Sequence, residues 1–216
     1  MKKIVLIGAS GFIGSAILKE SLERGHLVTA IVRHPEKIKL DNPNLKIETG
    51  DVLAEESVSE LVQGADVVIS AYNPGWTNPS ISTDTTNAYK SIVDGVKKAK
   101  IPRLLIVGGA GSLFVSPEKK VMDTGVIPDS YLPAVKSLAD VFYGLQKDEK
   151  ELDWVFFSPA GNIAPGEKTG TFRIGKDHLI VDEKGESNIS VEDYAVAMLD
   201  EVEKPQHHRE RFTIGY

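Results

Sequence analysis

The chain has no cysteine among its 216 residues. Disulfide staples, thiolate nucleophiles and cysteine-ligated metals are therefore excluded. No apolar run approaches the ~20 residues that a membrane-spanning helix needs. The opening, MKKIVLIGASGFIG, lacks the long apolar stretch of a secretory leader, and its glycines have a better use. No basic tract stands out, since 25 Lys and Arg are set against 31 Asp and Glu for a formal net charge of −6. An acidic chain without a basic face suits a nucleic-acid backbone poorly. Internal repeats, low-complexity tracts and EF-hand, zinc, kinase or hydrolase-elbow patterns are all missing. These absences lead us to expect a cytoplasmic protein, monomer or homodimer, that acts on a small molecule. Membrane, nucleic acid and metal are not expected partners.

What is present begins at the first strand. The apolar run Ile4–Ile7 drives straight into Gly8-x-x-Gly11-x-x-Gly14. A strand, a tight glycine turn and a helix start in that order set free backbone N–H groups at a strand's carboxyl end, where a phosphate is attracted. Packing alone would be the plainer use of such glycines.

Strand-like and helix-like runs then alternate. Strands are expected at Val28–Val32, Leu45–Glu48, Asp66–Ser70, Arg103–Val107 and Trp154–Phe157. Helices are expected at Ser15–Glu23, Glu56–Val62, Thr85–Ala99 and Leu132–Lys147. The strands lack an alternating polar face, which fits central strands covered on both sides. The expected fold is α/β, a doubly wound parallel sheet of the NAD(P)-binding Rossmann type, with ligands at the strands' carboxyl ends. After Pro159 the pattern loosens: short strands at Thr171–Ile174, His178–Val181 and Phe212–Ile214, and a helix over Glu192–Glu203. Roughly sixty residues rarely support a core of their own. The chain is therefore read as one domain, 1–216, with residues 160–216 contributing mainly to a small substrate-side lobe.

Each glycine of the turn has a separate use: Gly8 for the tight turn, Gly11 for close approach of a pyrophosphate, Gly14 for helix-to-strand contact. Ala9, Ser10, Phe12 and Ile13 complete the candidate cofactor contacts. Arg33 ends the second strand, with His34 and Lys37 nearby and no acid before Glu36. A guanidinium there can pair with a 2′-phosphate, which favours NADP over NAD; a solvated arginine is the alternative. Asp51 can accept from an adenine amino group beside Val52, or cap the next helix. Ala71 and Tyr72 follow the fourth strand, where small residues let a cofactor cross the sheet.

The reacting end is sparser. Ser112 closes the turn after the fifth strand and can bind a substrate oxygen, or serve as an ordinary turn serine. Lys136 can hold a nicotinamide ribose, or point to solvent. Tyr131 can supply a proton, although it lies five residues from Lys136 and precedes Pro133. Tyr72, Trp76, Phe114 and Phe172 are candidate walls for a planar substrate. The paired His207-His208 reads as a solvated turn rather than a metal site.

These motifs together resemble the short-chain dehydrogenase/reductase superfamily in its atypical or extended branch. The resemblance rests on GASGFIG at 8–14, Arg33, GD at 50–51, SAY at 70–72, Ser112, Lys136, FSPAGNIAPG at 157–166 and ISVEDYAVAML at 189–199. The nearest groups are the NAD(P)-dependent epimerase/dehydratase-like and the NmrA-like or flavin/biliverdin-reductase-like NAD(P)H-binding proteins. The resemblance implies a serine–tyrosine–lysine arrangement, yet the residue four before Lys136 is Leu132. The expected function is an NAD(P)H-dependent reductase that passes hydride to a small carbonyl, quinone or flavin-like acceptor. A non-catalytic NADP-binding sensor and an NAD-dependent sugar-nucleotide epimerase or dehydratase are the alternatives.

Overall fold

Apolar runs with no polar face become the central strands. Ile4–Ile7, Val67–Ser70 and Arg103–Val107 are buried along their whole length. The computed structural model describes residues 1–216. Its elements in chain order are β1 (Lys3–Ile7), α1 (Phe12–Glu23), β2 (Leu27–Val32), β3 (Leu45–Thr49), α2 (Glu55–Leu61), β4 (Val67–Ser70), α3 (Ile81–Lys98) and β5 (Arg103–Val107). There follow β6 (Phe114–Ser116), β7 (Lys119–Lys120), α4 (Leu132–Asp148), β8 (Asp153–Ser158), β9 (Asn162–Ala164), β10 (Arg173–Gly175), β11 (Asn188–Ser190), α5 (Val191–Glu203) and β12 (Glu210–Gly215).

The main sheet runs β3-β2-β1-β4-β5-β8-β12-β10. Every neighbouring pair is parallel except the edge pair β12–β10. The chain leaves β1 toward β2 on one side and returns to β4 on the other. That reversal opens a crevice beyond the carboxyl ends of β1 and β4.

Alternate residues of β1 feed two cores. Ile4 and Leu6 pack with Ile17 and Leu18 of α1 and with Tyr194, Met198 and Leu199 of α5. Val5 and Ile7 pack with Val58 of α2, Ile92 of α3 and Phe142 of α4. Burial on both faces explains why the strand sequences do not alternate.

Most of the expected elements are present, several with shifted ends. α1 starts at Phe12 because Gly11 holds the extended N-cap position. α3 starts at Ile81, a turn before the expected Thr85. A run of Ser and Thr hides that start, since these side chains favour caps over helix interiors. The Thr85 hydroxyl instead bonds back to the Ile81 carbonyl at 2.6 Å. The expected strand at His178–Val181 is irregular chain with one isolated bridge, His178 to Phe114.

Within residues 160–216, α5 and β12 complete the main body. β12 lies parallel to β8, with Phe212 opposite Phe157. A column of stacked rings pins these elements: Tyr194 on Phe157 at 4.1 Å, Phe157 on Phe212 at 4.0 Å, and His207 on Phe212 at 4.2 Å. His207 is therefore not in a solvated turn. It also pairs with Glu201 at 2.8 Å, while His208 pairs with Asp153 at 2.9 Å. What remains outside the main sheet is the β9–β11 pair and the loops around it. One of these loops is held to α1 by Lys168, at 2.5 Å from Glu20 and 3.2 Å from Glu23. Another anchor is the buried Asp193, which accepts from Thr169 Oγ1 at 2.6 Å, the Gly170 N–H at 2.8 Å and the Tyr216 hydroxyl at 2.7 Å.

Candidate functional site

The glycine turn is built by three different constraints. Gly8 has φ +81°, a conformation that side chains resist, and a Cβ there would sit 2.5 Å from the Ala71 carbonyl oxygen. A Cβ on Gly14 would sit 2.1 Å from the Gly8 carbonyl oxygen, so α1 packs directly on the turn. Gly11 differs: its backbone is extended, and the nearest atom to an added Cβ is 3.3 Å away. No side chain caps the start of α1. An uncapped helix start offers N–H donors and a positive dipole end to an anion.

A cleft of about 210 Å³ opens at this turn, between the tips of β1, β2 and β4. Of the predicted cofactor residues, Gly8, Ser10, Gly11, Arg33, Val52, Ala71 and Tyr72 line it. Its remaining walls are Ile7, Ile31, Val32, His34, Lys37, Gly50 and Asn73. Gly50 was not among the predicted contacts. A Cβ there would meet Leu61 Cδ1 at 2.2 Å, so glycine lets β3 end against α2.

The other candidates are placed differently. The Ala9 methyl is wholly buried, which leaves only its backbone to the cleft. Gly14 is buried, and Phe12 and Ile13 occupy the first turn of α1, Phe12 half exposed. Asp51 is exposed and outside the cleft lining; its Oδ1 accepts from the Leu53 N–H at 2.9 Å, in the turn leading to α2.

Charge at the cleft runs against the chain's acidic balance. Arg33 and Lys37 are exposed and form no ion pair, while His34 lies 3.2 Å from Glu36. Burial pushes the Tyr72 phenol above its ordinary range, and the Arg33 charge pulls it partly back.

No hydrogen bond joins the three predicted reacting residues, although the Ser112 turn packs against α4, where a Cβ on Gly111 would lie 2.1 Å from Val135 Cγ1. Ser112 is 3% exposed, and its Oγ accepts from Arg211 Nη1 at 2.9 Å. Arg211 also holds Asp177 at 2.6 Å and lies 4.3 Å over the Phe142 ring. This tie was invisible in the sequence, because Arg211 lies 99 residues from Ser112. Tyr131 is the N-cap of α4, its ring edge-to-face with Trp76 at 5.4 Å. Lys136 is exposed in α4. None of the three lines the cleft.

A larger cavity of about 320 Å³ lies at the carboxyl end of α5, by Phe172, Ile174, Glu201 and His207. It is away from the carboxyl ends of the central strands. Its acids are committed: Glu201 to Arg103 at 2.5 Å, and Asp200 and Glu203 to Arg24 at 2.7 and 3.0 Å. The cleft at the glycine turn is therefore the better candidate. No helix of the chain is long and apolar enough to cross a membrane.

Residues 8–205 match the family model described as NAD(P)H-binding. YwnB of Bacillus subtilis, a protein of uncharacterised function, is 42% identical over 215 residues, spanning 98% of this chain and 97% of its own. The crystal structure of a provisionally assigned epimerase from Bacteroides thetaiotaomicron superposes with a TM-score of 0.94 at 57% identity, covering 100% of this chain and 97% of that one. That of a provisionally assigned NADH-flavin reductase from Streptococcus pneumoniae gives 0.86 at 33% identity, covering 100% and 99%.

Proposed function

The chain belongs to the NAD(P)H-binding family, an atypical branch of the short-chain dehydrogenase/reductase-like Rossmann proteins, and from that premise we propose that it is an NAD(P)H-dependent reductase of a small carbonyl, quinone or flavin-like acceptor. The observation that carries this reading is the cleft itself. A glycine turn, an uncapped helix start and two cations without ion pairs meet there.

The residues fit a dinucleotide. Gly11 and the first-turn N–H groups of α1 would hold the pyrophosphate, since the protein itself demands glycine less at 11 than at 8 or 14. Arg33, aided by Lys37, would grip a 2′-phosphate, which favours NADP over NAD. Val52 would flank adenine with Asp51 at the rim, and Ala71 and Tyr72 would pass the cofactor across β4. When bound, the dinucleotide supplies a hydride donor at its nicotinamide ring. Ser112 would orient the acceptor through its hydroxyl proton, because the Arg211 N–H already occupies its oxygen. Lys136 would contribute positive charge near the ribose. Tyr131 or solvent would provide the proton.

Two observations favour a second reading, a sensor that holds NADP without turnover. Leu132 stands where a reductase of this superfamily carries its tyrosine, and Ser112 is already engaged. Measuring NADP⁺ binding alongside NADPH oxidation with menadione, FMN and small aldehydes separates the two. We expect binding and turnover of at least one acceptor. Tight binding with no turnover across the panel would leave the sensor; no binding of NADP⁺ or NAD⁺ would overturn both.

A further inference from the structure

Two aromatic side chains stand exposed beside the cleft. Trp76 is 57% exposed and Tyr131 44%. They come from different elements, the β4–α3 loop and the residue before α4, and meet edge to face at 86°. Such a pair covers at most one face of one ring. Both lie by the starts of neighbouring helices, at the carboxyl end of the sheet.

The loop that carries Trp76 is fixed. Asn73 Oδ1 accepts from the Gly75 N–H at 2.7 Å, and Gly75 turns the chain at φ +110°. Asn78 accepts from the Ser80 N–H at 2.9 Å and donates to Asp84 at 2.8 Å. Ser82 Oγ donates to the Pro133 carbonyl at 3.1 Å, tying the start of α3 to the start of α4. The same loop begins in the cleft wall at Ala71, Tyr72 and Asn73. From Asn73 to Trp76 is at most about 11 Å of chain.

We propose that Trp76 and Tyr131 form the binding site for a planar conjugated acceptor, a quinone-like ring, next to the cleft; this rests on the reductase reading. The chemistry agrees with the missing tyrosine. In the reaction NADPH + H⁺ + quinone → NADP⁺ + hydroquinone, the nicotinamide C–H bond breaks and its electron pair and hydrogen form a new bond on the acceptor. Quinone π electrons move to oxygen, and the single proton of the equation, drawn from solvent, neutralises the anion. The anion formed is phenolate-like, with a pKa near the tyrosine value of about 10, so no positioned acid is required. An alkoxide from an isolated carbonyl needs one far more. Lys136, exposed in α4 and in no ion pair, is a cation on the same helix that Tyr131 caps.

The protein carries its own reporter, because its other tryptophan, Trp154, is 1% exposed. With NADP⁺ present, menadione is titrated while the emission of Trp76 is followed. We expect saturable quenching, and a half-point raised about tenfold in Tyr131→Ala. NADP⁺ affinity should be unchanged in Tyr131→Ala and in Trp76→Ala, which also checks that both fold. In turnover, the menadione KM should rise similarly in Trp76→Ala and be largely restored in Trp76→Phe. Non-saturable quenching, or unchanged half-point and KM in the variants, would overturn the site. Turnover with unchanged KM would overturn the ring site alone and leave the reductase. Saturable, Tyr131-dependent binding without turnover would uphold the ring site and remove the reductase reading.

Discussion

Replacing Gly11 and Gly14 separately by alanine should produce opposite defects. At Gly14 the new methyl would lie 2.1 Å from the Gly8 carbonyl oxygen and 2.9 Å from its carbon. Both are backbone atoms, so relief requires α1 to move off β1. Forced overpacking costs roughly 1–3 kcal/mol, here at the upper end. Alanine regains about 1 kcal/mol of helix propensity. The net loss is about 2 kcal/mol, or a fall in Tm of ~4–8 °C for a domain of this length. At Gly11 the nearest atom, the Gly8 carbonyl oxygen, is 3.3 Å away and the backbone is extended, so a shift of a few tenths of an ångström relieves the contact and the strain is far smaller than at Gly14. Alanine is a poorer N-cap than glycine by about 1 kcal/mol or less. Its methyl, however, would stand where a pyrophosphate must approach. Thermal denaturation and NADP⁺ titration of both variants are the assays. Gly11→Ala should melt within a few degrees of wild type yet bind at least about tenfold more weakly. Normal binding by Gly11→Ala, or an unchanged Tm in Gly14→Ala, would refute this assignment of roles.

Arg33→Gln should weaken NADPH binding about 10–100-fold and NADH binding little, since a charge-assisted pair is worth about 1.5–3 kcal/mol; equal losses in titrations of the two would remove the 2′-phosphate role. Phe157→Ala opens the ring column between Tyr194 and Phe212 and should cost about 3–5 kcal/mol in urea denaturation. Burial pushes the Asp193 carboxyl up, but hydrogen bonds from Thr169, Tyr216 and the Gly170 N–H outweigh it and hold the group below its ordinary range. That stabilisation is complete above the unfolded pKa of about 3.9 and is lost as pH falls through the lower folded value. Asp193→Asn should therefore be clearly less stable than wild type at neutral pH, with the gap closing below about pH 4; a constant gap in denaturant titrations would contradict the linkage.

Local signals were readable in the sequence and distant ones were not. The glycine turn, Arg33 and the residues after β4 act within a few positions of the strand that presents them, so spacing alone placed them at one cleft. Arg103–Val107 was found to the residue, because a short apolar run between Pro102 and Gly108 has few other uses. β12 was harder. Phe212–Ile214 looks like a stub, and its pairing with β8 depends on a partner more than fifty positions earlier. The same limit hid the Arg211–Ser112 contact and the stacking of the His207 ring on Phe212. Gly50 carried a weak signal, a glycine at a strand tip, but its reason lies in Leu61 of the following helix.

The Arg211 contact bears on the direction of chemistry that the reacting end can support. A guanidinium only donates hydrogen bonds, so Ser112 Oγ must spend acceptor capacity on it. The serine proton then has to point elsewhere, and the nearby charge makes it a stronger donor. A serine held this way can stabilise negative charge that builds on an acceptor oxygen. It is poorly suited to removing a proton, because that role needs a free lone pair and tolerance of added positive charge. Leu132 offers no base either. Epimerisation and alcohol oxidation both begin with proton removal, whereas reduction of a conjugated ring does not. The same contact that weakens the case for a serine–tyrosine–lysine triad therefore favours the proposed hydride delivery to an acceptor that needs a donor and a cation, the roles we propose for Ser112 and Lys136.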